Sequence, residues 1–158
     1  MELFHGSNQI IKQPKLLAPT HPLDFGAGFY ATTNKEPAAA FARKVAKWRG
    51  GNAVVNTYFF EETHIKPFKL LKFDNPNIKW LQFVVENRAD REQKGIADIV
   101  FGPVANDDVY SVVELYEAGT YTEKEAIARL KIKKLFNQYV FKTQETINLL
   151  LFKQYDYV

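Results

Sequence analysis

The chain contains no cysteine among its 158 residues, which excludes disulfides, thiolate metal sites and a cysteine nucleophile. It has only three histidines, His5, His21 and His64, and their spacing matches no metal-ligand pattern, so we expect no metal site. No apolar run is long enough to span a membrane, and the first residues lack the basic-then-apolar pattern of a secretion signal. These absences predict a cytoplasmic protein without a membrane segment.

The composition is that of a folded globular protein, with 46% hydrophobic and 15% aromatic residues. No internal repeat, low-complexity tract or Gly/Ser-rich linker divides the chain, so we expect a single domain over residues 1–158. The formal net charge of +3 would help the chain approach an anionic partner, but it is too small to indicate nucleic-acid binding by itself.

The most informative stretch runs from residue 24 to residue 34. Gly26 and Gly28 allow a positive φ or a close approach to another group, and residues 29–33 are aromatic, small or β-branched, as in a short strand. Asn34 is placed to cap a following helix. The stretch therefore presents the aromatic ring of Tyr30 beside exposed backbone donors, an arrangement suited to a planar ligand that carries phosphates. The alternative is a tight turn before an ordinary core strand.

Hydrophobic periodicity and turn residues predict a mixed α+β fold. In the first helix, Phe41, Val45 and Trp48 recur at helical spacing and predict its buried stripe, and Ile78, Leu81, Val84 and Val85 do so in the second. The strands do not alternate regularly with helices, and no dinucleotide-binding, P-loop or metalloprotease motif is present. Strands are predicted at residues 2–7, 29–33, 53–60, 68–73, 96–104, 137–143 and 150–153. Helices are predicted at residues 36–49, 107–118, 122–134 and 143–149, and a further helix is opened by residues 74–76 and ends near residue 87.

Three segments then align with a known pattern. They are residues 3–7 with His5, residues 25–33 with Tyr30, and residues 137–143 with Gln138. In this order they resemble the His, Tyr and third-residue motifs of the ADP-ribosyltransferase superfamily. Over nearly its full length, including residues 102–107, the chain also resembles a small bacterial family known only as a domain of unknown function.

The resemblance implies a split, mixed β-sheet with flanking helices that holds NAD, the substrate, in a cleft without a metal. By similarity, His5 would bond the adenosine-side ribose, the Gly6 backbone would hold the nicotinamide amide, and Tyr30 would stack on the nicotinamide ring. Gly28 belongs to the same binding loop. Further NAD contacts are expected from the helix start that follows the Gly-Pro turn of the fifth strand, at Asn106 and Asp107, although helix capping explains that pair equally well.

The third motif position is usually glutamate in the superfamily, and here it is Gln138. A glutamine can hydrogen-bond a ribose hydroxyl, but it supplies no negative charge to stabilise the positive charge that develops as nicotinamide leaves. At the start of a strand, a glutamine is also commonly a solvent-facing residue. With His5 and Tyr30 as its other catalytic residues, the site is compatible with a slow transferase.

Two functions therefore remain open. The first is an NAD-dependent ADP-ribosyltransferase that modifies a protein or nucleic acid, by resemblance the toxin of a bacterial toxin–antitoxin pair with a small antitoxin protein as its partner. The second is a catalytically weak or inactive module on the same fold that binds a nucleotide or a protein. A third function, RNA-processing phosphotransfer, would require an arginine cluster near the motifs, and the sequence shows none there.

Overall fold

The computed structural model describes residues 1–105, 107–131 and 135–158. Within these ranges the chain forms seven strands and five α-helices, with a short 3-10 helix at Glu62–Ile65. The strands are β1 (Glu2–Ser7), β2 (Phe29–Thr32), β3 (Val54–Phe59), β4 (Leu70–Lys72), β5 (Ile99–Pro103), β6 (Asn137–Phe141) and β7 (Leu151–Tyr157). The helices are α1 (Lys35–Arg49), α2 (Ile78–Arg88), α3 (Asp107–Glu117), α4 (Glu123–Lys131) and α5 (Gln144–Ile147).

The strands form one mixed sheet in the order β4-β5-β6-β2-β1-β3-β7. Only β4 and β5 run parallel, and all other neighbouring pairs are antiparallel. The predicted mixed α+β fold is therefore confirmed. Between β1 and β2 the ladder holds at one position, Phe4 opposite Thr32, whereas β1 and β3 pair along the whole length of β1. The sheet is consequently joined at its centre by a narrow seam.

Both faces of the sheet are covered. On one face α1 packs over β1 and β3 through Ala38, Ala39 and Val55, and helices α2, α3 and α4 cover the other half of the sheet. The opposite face carries an aromatic cluster. Its buried members are Leu3, Phe29, Ala31, Tyr58, Phe60, Ile99, Tyr139, Phe141, Ile147 and Leu150.

Helix α1 has the predicted length but buries a different set of residues. Phe41 is 52% exposed and Trp48 is 73% exposed, so both predicted core positions are wrong, whereas Val45 is buried as predicted. Ala38 and Ala42 face the sheet instead. The physical reason is the short distance between the helix and β1, which leaves room for alanine side chains but not for aromatic rings.

The helix starts test the predicted caps. The sequence Thr-Glu-Lys-Glu at 122–125 predicts a capping box, and the structure has it: Thr122 N–H donates to Glu125 Oε2 at 2.8 Å and Glu125 N–H donates to Thr122 Oγ1 at 3.2 Å. Asn34 precedes α1 but makes no side-chain cap; its Oδ1 accepts from the Thr33 hydroxyl instead, at 3.2 Å. The prediction that the Asn34 side chain caps α1 is therefore wrong.

Helix α2 starts later than predicted, because Asn77 and not the preceding Asp-Asn-Pro stretch provides the cap. Asn77 Oδ1 accepts from Trp80 N–H at 2.9 Å. Ile78 is 45% exposed, so its predicted place in the buried stripe is wrong, and Trp80 is fully buried. Leu81 and Val84 are buried as predicted. None of the helices in the described ranges is long and apolar enough to cross a membrane.

Candidate functional site

The Tyr30 hydroxyl is fixed by the loop that precedes β2. It donates to Gly26 O at 2.7 Å and accepts from Phe25 N–H at 3.0 Å. Burial raises the pKa of Tyr30 above its ordinary value, despite the stabilising bond from Phe25, so the phenol stays neutral at physiological pH. The ring is half-buried and packs against the cluster beneath α2 to α4. Tyr30 is thus a positioned neutral aromatic with part of its surface accessible.

The two glycines of this loop serve different purposes. Gly26 has a φ of 75°, a conformation that a residue with a Cβ adopts at a cost. Gly28 allows a close approach, because a Cβ at this position would lie 2.5 Å from Val140 Cγ1 and 2.9 Å from Phe141 O. The sequence predicted either a positive φ or a close approach at these glycines, and the structure has the first at Gly26 and the second at Gly28. Gly28 therefore holds the loop tightly against β6.

His5 lies at the seam between β1 and β2. Its Nδ1 is 2.7 Å from Tyr30 O, and its ring stacks on Phe29 with the two centroids 4.3 Å apart. Burial lowers the pKa of His5, although the bond to Tyr30 acts in the opposite direction. The ring is half-buried, and Nε2 has no hydrogen-bond partner in the described part of the chain. His5 therefore links the segment of β1 to the segment of Tyr30, and its neutral Nε2 remains open to another group.

Gly6 contacts a helix. A Cβ here would lie 2.0 Å from Ala38 O and 2.9 Å from Ala42 N, so no side chain fits between β1 and α1. The resemblance assigned the Gly6 backbone to the nicotinamide amide. The structure gives the vacant space to α1, and only the backbone atoms of Gly6 remain as candidates for NAD binding.

Gln138 is buried, with 5% of its surface exposed, which corrects the expectation that a glutamine at a strand start faces solvent. It lies on the same face of β6 as Val140, because alternate residues of a strand share a face. Its amide makes no hydrogen bond with any residue in ranges 1–105, 107–131 and 135–158. The amide atoms are nevertheless not among the fully buried side-chain atoms without a hydrogen-bond partner, which are Thr57 Oγ1 and Arg88 Nη1 in the described residues. The amide therefore reaches water and is open to a polar group from outside the fold.

Gln138 occupies the middle of a row of residues that crosses four strands. Its register partners are Thr32 on β2 and Gly102 on β5, and Thr32 is paired in turn with Phe4 on β1. At the Gly102 end, Phe25 Cζ lies 3.2 Å from the position a Cβ would take. The loop of residues 24–28, the Tyr30 loop, therefore covers one end of the row. The Gln138 amide lies between two small neighbours, Thr32 and Gly102.

Two further charged residues support the Tyr30 loop, and sequence patterns did not reveal either. Lys142 Nζ donates to Phe25 O and to Glu92 Oε1, each at 2.7 Å. Glu92 Oε2 accepts from Ala27 N–H at 2.9 Å. Burial raises the pKa of Glu92, but the bonds from Lys142 and Ala27 outweigh it and hold the pKa below its ordinary value. Glu92 is therefore an ionised carboxylate bound to the loop backbone.

A second charged group lies at the start of the same loop. Arg88 Nε is 3.8 Å from Asp24 Oδ1, and Arg88 Nη2 is 4.0 Å from Glu114 Oε1. The guanidinium lies over the Tyr110 ring, 3.7 Å from its centroid. Arg88 Nη1 is buried and forms no hydrogen bond within the described residues. The distances are long for ion pairs, so Asp24 is only weakly stabilised as an anion.

The remaining predicted site residues are Asn106 and Asp107. Asn106 lies outside the described residues, as does the side chain of Asp107, the first residue of α3. Among the described residues, no group of three or more His, Asp or Glu side chains could hold a metal. A cavity of about 610 Å³ lies against α5, away from these residues, whereas one of about 200 Å³ touches Gly26, Ala27 and Glu92 of the site.

With this geometry established, comparison with known proteins places the chain in a family. Residues 1–152 match the family described as "Protein of unknown function (DUF3990)". The chain belongs to the DUF3990 family. No curated protein and no solved structure matches the chain. The expected resemblance to a small family of unknown function is therefore confirmed, and the function of this DUF3990 member has to be inferred from its own site.

The weakly paired Asp24 gives a testable pH dependence for this DUF3990 member. Burial raises the pKa of Asp24 to about 6, against the lowering effect of Arg88 and with a further raising effect of Glu117. The folded state then binds a proton more tightly than the unfolded state, so this stabilising contribution is present below pH 3.8 and lost as the pH rises through about 6. We expect the free energy of unfolding of wild type, relative to Asp24→Asn, to fall by about 1–2 kcal/mol between pH 4 and pH 7. Urea unfolding of both proteins across this range measures it; parallel pH profiles would contradict the assignment.

Proposed function

We propose that the chain is an NAD-dependent ADP-ribosyltransferase that modifies a cytoplasmic macromolecule, on a sheet of the ADP-ribosyltransferase type. The proposal is supported by the way the fold groups the three motif residues. His5, Tyr30 and Gln138 are far apart in sequence, yet they lie on β1, β2 and β6, which are adjacent in the sheet. Next to the narrow seam between β1 and β2, at Phe4 and Thr32, the His5 side chain bonds Tyr30 O.

The observation that carries the proposal is the amide of Gln138, which makes no hydrogen bond within the described residues although the residue is only 5% exposed. This amide shares a face of the sheet with Tyr30, since Tyr30 pairs with Val140 and Thr32 pairs with Gln138. A ribose hydroxyl would satisfy the amide as both donor and acceptor. The partly exposed ring of Tyr30 offers a neutral surface for a planar base. The residues present therefore fit a nucleotide that carries a ribose next to a flat ring.

The roles of the side chains follow from their charge states. NAD would supply the activated C1′–N bond, which breaks with its electron pair leaving on nicotinamide while an acceptor nucleophile bonds C1′ and releases a proton. Gln138 would orient a ribose hydroxyl, and Tyr30 would hold the ring. The His5 ring lies on the other face of the sheet against Phe29, so His5 would act by holding the Tyr30 backbone through its bond to Tyr30 O. All three groups are neutral, so none of them supplies the carboxylate that would stabilise developing positive charge. We expect turnover to be slow for this reason.

The direct test uses NAD labelled in its adenylate half with purified protein and a bacterial lysate. Wild type should transfer label, and Gln138→Ala should lose the transfer. Gln138→Glu restores the missing carboxylate and should raise the rate about tenfold, equivalent to about 1.4 kcal/mol of the barrier. Protease or nuclease sensitivity of the labelled product identifies the acceptor. Absence of label from wild type and from Gln138→Glu alike would refute the transferase.

Tyr30 is tested through binding, with two variants that separate the ring from the hydroxyl. Tyr30→Ala removes the ring and should weaken NAD binding at least tenfold, the equivalent of about 1.4 kcal/mol. Tyr30→Phe keeps the ring and should bind NAD nearly as well, although it loses the hydrogen bonds to Phe25 and Gly26. Calorimetric titration gives both affinities. If both variants bind NAD like wild type, Tyr30 does not contact the ligand.

One observation favours a second function, a nucleotide-binding module without transfer. Gln138 supplies binding but no charge, and the nearest described carboxylates of the loop, Asp24 and Glu92, are engaged with Arg88 and Lys142. The labelling experiment separates the two functions. Measurable NAD affinity together with no transfer in any variant would establish binding alone. A small antitoxin protein, as a proposed partner, would be recognised by its ability to suppress the label transfer.

A further inference from the structure

The ammonium group of Lys142 is buried and requires an anion. Its side chain is 7% exposed, and it follows directly after β6, where its backbone N–H donates to Asp98 O at 2.9 Å. Its Nζ already donates to one neutral acceptor, Phe25 O, at 2.7 Å. A buried cation without a counter-charge is strongly unfavourable. Lys142 is thus a fixed positive charge beneath the Tyr30 loop.

The negative charge beside Lys142 is the Glu92 carboxylate, and its hydrogen bonds are of the kind that proteins make to a bound anion. The Glu92 carboxylate accepts from Lys142 Nζ through one oxygen and from Ala27 N–H through the other. A backbone N–H that follows a glycine with a φ of 75° and an adjacent lysine are the donors that proteins commonly offer to phosphate oxygens. A Cβ at Gly26 would lie 2.3 Å from Glu92 Cδ. The loop is therefore shaped to admit an anion at this point.

The carboxylate is delivered by a segment with little structure of its own. Residues 89–98 contain neither helix nor strand, and between Arg91 and Ile96 only Glu92 is not exposed. Lys142 and Ala27 are held by the sheet and by the loop, whereas Glu92 lies on the surface segment. If the two partners separate, Glu92 is the one that can move into water.

A cavity adjoins this anion position. Its volume is about 200 Å³, and its lining includes Ala27, His21 and two carboxylates, Asp90 and Glu92. Lys142 lies behind Glu92 and does not line the cavity, so a ligand reaches the ammonium only when Glu92 moves aside. Pockets that enclose a whole small molecule usually measure about 300–1,000 Å³. This cavity is therefore suited to one or two phosphate groups and not to an entire dinucleotide.

We propose that Ala27 N–H and the Lys142 ammonium form a binding site for a phosphate or diphosphate group, which the Glu92 carboxylate closes in this structure. The site does not depend on the transfer chemistry proposed above, since it is defined by a loop amide and a buried lysine alone. The ligand displaces Glu92 and takes over both of its hydrogen bonds. Free diphosphate and the diphosphate of a nucleotide share this chemistry.

The test compares the affinity of inorganic pyrophosphate, and of ADP, for wild type and for Glu92→Gln. Removing the competing negative charge should tighten pyrophosphate binding at least tenfold by calorimetry. The matched control is Glu86→Gln, which removes the same charge from an exposed ion pair with Arg91 nearby and should leave the affinity unchanged. Tighter binding of ADP than of pyrophosphate would show that the phosphates belong to a nucleotide, and equal binding would show a site for the free anion.

A second readout keeps the proposal testable if Glu92→Gln does not fold. In wild type, saturating pyrophosphate should shift the NMR amide resonance of Ala27, while the amide of Gly51 on the far side of β1 should not move. Adding Lys142→Met to Glu92→Gln should abolish pyrophosphate binding. Equal affinity in Glu92→Gln and Glu86→Gln, or an Ala27 resonance that stays fixed in wild type, would overturn the site. Either result is independent of whether NAD is a substrate.

Discussion

Gly6→Ala is expected to lower the free energy of unfolding by about 3 kcal/mol or more. The added methyl group would lie 2.0 Å from Ala38 O, far inside van der Waals contact, and the opposing atoms belong to the backbone of α1 and cannot rotate away. The helix must therefore move off β1, which opens the packing of Ala38 and Ala39 against Val55. Chemical denaturation of both proteins measures the loss.

The matched control is Gly119→Ala, which adds the same methyl group where no atom lies within 4 Å. Its φ of 76° makes alanine unfavourable by about 1 kcal/mol, so this variant reports backbone strain without a clash. Gly6→Ala should be clearly the more damaging of the two. Equal losses would mean that α1 does not lie as close to β1 as described.

Removing the charge of Glu92 is expected to lower the free energy of unfolding more than removing the charge of its partner Lys142. Glu92→Gln leaves the ammonium of Lys142 buried without a counter-charge and should cost about 3 kcal/mol, the low end for a disrupted buried pair. Lys142→Met should cost less than half as much, because the Glu92 side chain is already 21% exposed and its segment lets the carboxylate reach water. Urea unfolding gives both values.

Two surface pairs serve as controls for this asymmetry. Glu86→Gln breaks the exposed pair with Arg91, and Lys153→Met breaks the exposed pair with Glu2. Neither should change stability measurably, since exposed ion pairs contribute little. If Lys142→Met proved as costly as Glu92→Gln, the carboxylate would be held as rigidly as the lysine, and displacement by a ligand would lose its basis.

The sequence predicted the order and type of the main elements because most of them depend on local signals. The capping box of Thr122 and Glu125 and the cap at Thr143 are examples, and both are present. The predicted burial of Phe41 and Trp48 failed because periodicity identifies an apolar stripe without identifying its neighbour. The face of α1 that meets the sheet is chosen by a glycine on β1, thirty or more positions earlier, and no local pattern contains that information.

The site was predictable only in part, for a similar reason. The sequence singled out Tyr30 and the two glycines of its loop, and the bonds of the Tyr30 hydroxyl to Phe25 and Gly26 are local to this stretch. The burial of Gln138 could not be predicted, because it depends on β5 and β2 flanking β6 on both sides. Glu92 and Lys142 meet across 50 residues. Such pairs become visible only when the chain is folded.

The narrow seam at Phe4 and Thr32 also has a consequence for how the chain is built. On one side of it lie β1, β3 and β7, and on the other lie β4, β5, β6 and β2. The half of the sheet that contains β1 is completed only when residues 151–157 emerge from the ribosome. Until then β3, whose side chains are nearly all buried, offers an unpaired edge to other chains. The nascent protein is therefore most prone to aggregate in the period before β7 has been synthesised.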